Sequence, residues 1–122
     1  MAKIFILPLA GVVISGCAGA QPQDMEPQVT AEVTEVLSRI AAGDTPQERF
    51  TERGAAMTLA SGTAARQLRG CPAPALRLMD RRVKGEDRQY LYQVDCGEQT
   101  WQLEVDYNKA ARINRLEMRP LR

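Results

Sequence analysis

The chain has 122 residues, with 16 Lys and Arg against 15 Asp and Glu and no histidine. Such a length holds one domain with a modest core, and the near-neutral balance offers no field for nucleic acid. Lack of histidine removes the commonest general base, the Ser-His-Asp arrangement and most zinc sites at once. No Gly-rich phosphate loop is present either, so neither a cofactor nor a metal is expected.

Residues 1–16 read as an export signal. Lys3 supplies one positive charge, and Ile4 to Ile14 (IFILPLAGVVI) carry none. Crossing the hydrocarbon core takes roughly 20 apolar residues, so this stretch is too short to span but suits a signal segment. Pro8 agrees, since it disfavours a persistent helix by about 3 kcal/mol. The segment ends in Ile14-Ser15-Gly16-Cys17, a branched apolar residue, two small residues and a cysteine. This resembles the lipobox of bacterial lipoproteins. The resemblance implies cleavage before Cys17, acyl chains such as palmitate on that cysteine, and membrane attachment. Ala18, rather than Asp, after the cysteine implies the outer membrane, with the domain facing the periplasm.

Without Lys3 the remaining chain has 15 basic and 15 acidic residues. With Cys17 assigned to lipid, Cys71 and Cys96 form an even pair in an exported protein, where disulfides persist. A bridge between them closes a loop worth about 3.5 kcal/mol on the chain-entropy relation. A metal site would need more ligands than two thiolates, and free thiols would be unusual in that compartment.

Residues 17–28 (CAGAQPQDMEPQ) are expected to be the lipidated end and a flexible tether, and residues 29–122 the domain. A first helix is expected from Val29 to Ala42. Thr30 would cap it, Gly43 would stop it, and Val29, Val33, Val36, Leu37 and Ile40 form its apolar stripe. Thr45-Pro46-Gln47-Glu48 reads as the start of a second helix, with a capping box from Thr45 to Glu48. Ser61-Gly62 breaks it, and Thr63 to Arg69 add a further turn or two.

Beyond Cys71-Pro72-Ala73-Pro74 the hydrophobic period changes to two. Strands are expected at Leu76–Lys84, Gln89–Cys96, Thr100–Tyr107 and Arg112–Arg119. The short turns between them imply an antiparallel meander. Helices followed by strands give an α+β domain, two to three N-terminal helices on a curved four-stranded sheet. Ala41-Ala42-Gly43-Asp44, Leu68-Arg69-Gly70 and the finish Asp106-Tyr107-Asn108 with Arg112 to Pro120 resemble the NTF2-like (cystatin-like) superfamily. At the glycine position of that finish stands Ala111.

Three groups of residues are candidates for function. Tyr90, Tyr92, Trp101 and Tyr107 fall on one face of two neighbouring strands; the NTF2-like resemblance implies a small-molecule pocket there, and the alternative is the core beneath the helices. Glu104 and Asp106 lie two apart on a strand, a spacing that can raise one pKa, yet their alternation with apolar residues turns them towards water. Arg77, Arg81, Arg82, Lys84 and Arg88 dominate a stretch where residues 66–88 hold seven bases and three acids. They suit an acidic partner or anionic headgroups, or else a charged edge that deters aggregation. The expected function is a non-enzymatic envelope lipoprotein binding a protein partner. A small-molecule binding domain is the alternative, and a carboxylate-based enzyme comes third.

Overall fold

The computed structural model describes residues 24–60, 62–71 and 73–121. The export signal, Cys17 and most of the tether lie outside the described residues. Helix α1 is Pro27–Ala41, a 3₁₀ turn covers Gln47–Arg49, and α2 (Glu52–Thr58) and α3 (Thr63–Leu68) follow. Four strands then complete the chain: β1 (Ala75–Lys84), β2 (Asp87–Cys96), β3 (Gln99–Tyr107) and β4 (Ile113–Pro120). They form one antiparallel sheet in sequence order, so the architecture is α+β. Among the described residues no helix is long and apolar enough to cross a membrane.

Helix α1 begins two residues earlier than its apolar stripe suggests, because Pro27 takes the first position, where a missing N–H costs nothing. Thr30 is therefore not the cap. Its hydroxyl lies inside the helix, bonded to the Asp24 carboxylate and 3.0 Å from the Tyr92 hydroxyl. Val33, Val36, Leu37 and Ile40 are buried as the stripe requires, each contributing about 1.5–3 kcal/mol. Gly43 ends the helix at φ +91°, donating to the Ile40 carbonyl.

The capping box at Thr45 does not form. Glu48 instead takes the Arg39 guanidinium at 2.5 Å, and Arg39 also holds Asp44 at 2.7 Å. Phe50 explains the difference. It is buried with an extended backbone and bridges Ile113 of β4, so no helix can run through it. A cap contributes about 1 kcal/mol, whereas burying a phenylalanine contributes about 1.5–3. Helix α2 therefore starts after Phe50, with Thr51 Oγ1 accepting from the Gly54 N–H at 2.9 Å.

The core lies between the helices and one face of the sheet. Tyr90, Tyr92 and Val94 of β2, Leu103, Val105 and Tyr107 of β3, and Ile113, Leu116 and Met118 of β4 all point into it. Cys71 and Cys96 are joined by a disulfide with Cα atoms 5.0 Å apart, tying the end of the helical half to the end of β2.

The two edges of the sheet differ. Outside β4, the Ile113 carbonyl accepts from Thr51 N (2.9 Å), Leu116 from Thr58 Oγ1 and Met118 from Gln67 Nε2 (both 3.3 Å). The helical segment thus covers that edge. Strand β1 pairs with β2 on one side, and among the described residues neither a strand nor a helix bonds to its other side. It also contains no buried residue, only the half-buried Leu76 and Leu78.

Candidate functional site

Three of the four candidate aromatic residues meet inside the core. The Tyr90 and Tyr92 rings stack with centroids 6.3 Å apart, and Tyr107 meets Tyr90 edge-on at 5.8 Å. The Tyr90 hydroxyl donates to Glu26 Oε1 at 2.8 Å, and that of Tyr92 lies beside Thr30. Tyr107's hydroxyl is buried with no hydrogen-bond partner among the described residues. These rings fill the space beneath α1. Trp101 stands apart, half-buried near the disulfide, where it lines a shallow hollow with Gln67, Cys71, Cys96 and Gln99.

Burial pushes the Tyr92 phenol up to about 12 and raises those of Tyr90 and Tyr107. The protein has three tyrosines in all. Each has a folded pKa above its unfolded value near 10, so their contribution is complete below pH ~10 and lost as pH rises towards 12. An alkaline titration followed by phenolate absorbance should show no step near pH 10. Tyrosine ionisation should instead coincide with loss of the folded circular dichroism signal. A reversible step at pH 10 with the fold intact would contradict this account.

Glu104 and Asp106 lie on the sheet face opposite α1, α2 and α3. They are not isolated in water: Gln89 Nε2 donates to Glu104 at 2.6 Å and to Asp106 at 3.1 Å. Arg115, on the neighbouring strand, approaches both carboxylates at 3.3 and 3.9 Å and holds Glu117 at 2.5 Å. Its guanidinium keeps the Glu117 carboxyl below the usual range. The pair is thus engaged by Gln89 and Arg115 rather than presented free to a substrate.

The basic group is divided by a β-bulge. Leu78 pairs with Tyr92 but Asp80 pairs with Leu91, so Met79 is the extra residue and inward-outward alternation reverses beyond it. Arg81 consequently lies opposite Tyr90 on the helix side, where an unbroken register from Leu78 would have placed Asp80. There it pairs with the Glu26 carboxylate, its guanidinium 5.9 Å from the Tyr90 ring centroid. Arg88 is half-buried on the same side, opposite Val83. Arg82 pairs with Asp80 at 3.1 Å, while Arg77 and Lys84 are exposed.

Beyond the bulge, Arg81 and Arg88 therefore fall on the helix side and Arg82 and Lys84 on the other face, while Arg77 stands before the bulge. Glu26 and Asp80, which engage two of these arginines, were not among the sequence candidates. Glu26 was assigned to the tether, although an acid directly before a proline at a helix start was a usable signal.

No family model, curated protein or solved structure matches the chain.

Proposed function

We propose that this is a non-enzymatic lipoprotein of the cell envelope, lipidated at Cys17, whose domain binds another envelope protein. The observation that carries the binding reading is the difference between the sheet edges. Hydrogen bonds from Thr51, Thr58 and Gln67 occupy the outside of β4, whereas among the described residues no strand or helix bonds to the outer edge of β1, which carries exposed bases. An uncovered edge of full strand length suits a docking surface, and the bulge and bases on β1 restrict which strand it accepts. The candidate tyrosines are used in packing and the candidate carboxylates in ion pairs, which favours binding by a surface over a pocket or a catalytic site.

The finer fold reading is the NTF2-like (cystatin-like) cone. It is supported by the helices-then-meander order and by Ala111, which takes φ +62° at the position where that family carries glycine. The lipobox reading further proposes the outer membrane, with the domain in the periplasm.

Two measurements in producing cells test these claims. Labelled palmitate should be incorporated by the natural chain and lost on Cys17→Ser together with membrane sedimentation; label retained on the variant would remove the anchor. A photo-crosslinking residue placed at Met79 on β1, and separately at Gln93 on the open sheet face, should give a heavier protein adduct from at least one position. Adducts from neither would sink the partner reading.

A further inference from the structure

We infer that the outer edge of β1 receives an extended acidic strand of the partner, which adds a fifth strand to the sheet. This inference rests on the partner reading above and specifies its chemistry. Strand addition gains its affinity from main-chain hydrogen bonds along an open edge and its selectivity from the side chains beside it. Strand β1 supplies both. Its sequence, ALRLMDRRVK, carries Arg77, Arg81, Arg82 and Lys84 against the single acid Asp80. All six residues from Met79 to Lys84 are exposed, and Met79 and Val83 present 49 and 59 per cent of their surface. An incoming strand would therefore meet exposed aliphatic side chains as well as the bases.

Two contacts within the chain show what this region accepts. Arg81 N donates to Asp80 Oδ1 at 2.9 Å while Arg82 Nε donates to Oδ2 at 3.1 Å, so a carboxylate spans a backbone amide and a guanidinium. On the helix side, Glu26 spans Arg81 and the Tyr90 hydroxyl. Both are carboxylates held by two donors at once.

The same charges decide between occupants. A second copy would set one arginine-rich strand against another, and like charges across a ladder are unfavourable. Bases along an edge ordinarily deter strand addition, and here they repel a basic strand while attracting an acidic one. Asp80 is the competitor that such a strand must displace from the Arg81 amide and from Arg82.

The test uses the exported, oxidised chain and a blocked octapeptide alternating glutamate with valine, followed by amide NMR and hydrogen exchange. Binding should shift resonances along Leu76–Lys84 and slow exchange there. It should weaken by about tenfold or more in the Arg82→Glu, Lys84→Glu variant and tighten in Asp80→Ala. A peptide with lysine in place of glutamate should not bind. Equal binding of the lysine peptide overturns the inference, as do shifts confined to the Gln93–Gln102 face, no shift at all, or pairing of the chain with itself at β1. If peptide binding fails while crosslinks form from Gln93 in cells, the edge is wrong and the partner reading stands.

Discussion

Replacing Cys71 and Cys96 together with alanine is expected to lower stability by about 3.5 kcal/mol, within the 2–5 kcal/mol usual for such bridges. At about 4–8 °C per kcal/mol for a domain of this size, the melting temperature should fall by roughly 14–28 °C. The bridge closes a separation of 25 residues that contains all of β1 and nearly all of β2. Its loss should not be felt evenly. Strands β2, β3 and β4 each bury three side chains in the core, whereas β1 buries none completely. Without the link at Cys71, β1 is held by its ladder to β2, by Leu76 and Leu78, and by the ion pair of Arg81 with Glu26. Hydrogen exchange should therefore lose protection first along Ala75–Lys84, with β3 still protected. A double variant that melts within a few degrees of the natural chain, or that loosens evenly, would show that the bridge is not what secures this strand.

Order of elements and core membership were legible in the sequence wherever periodicity was strong. Val33, Val36, Leu37 and Ile40 mark α1 at helical spacing, and Leu103, Val105 and Tyr107 mark β3 at a spacing of two. The cysteine pair followed from parity, once Cys17 was set aside for lipid and export was expected. Features set by contacts between distant residues were not legible. Thr45 to Glu48 carries strong local helix chemistry, and the burial of Phe50 against Ile113 overrides it. The bulge at Met79 has no signature in ALRLMDRRVK, since a bulge is a property of the paired register, and it alone turns Arg81 towards Glu26 and Tyr90. The Gln89–Glu104–Arg115 network likewise needs three strands in register before it exists.

Gly54→Ala gives the second large effect, and here the sign distinguishes two accounts. On helix propensity alone, glycine within α2 should be improved by alanine by about 0.5–1 kcal/mol. The packing predicts the reverse. A Cβ on Gly54 would stand 2.3 Å from the Ile113 carbonyl oxygen and 3.1 Å from the backbone carbon of Asn114. Those are backbone atoms of β4, which no rotamer change can move aside. Helix α2 would have to lift off the strand, stretching the 2.9 Å bond from Thr51 N to Ile113 O and the Thr51–Asn114 side-chain bond of equal length. Overpacking of this kind costs about 1–3 kcal/mol, and the strained bonds place the expected loss at the upper end. Ala56→Gly, at an exposed position two residues along the same helix, provides the comparison: it should cost about 1 kcal/mol, from propensity alone. Chemical denaturation of both variants settles the matter. If Gly54→Ala is neutral or stabilising, α2 does not press on β4, and the covered β4 edge that sets β1 apart loses its structural basis.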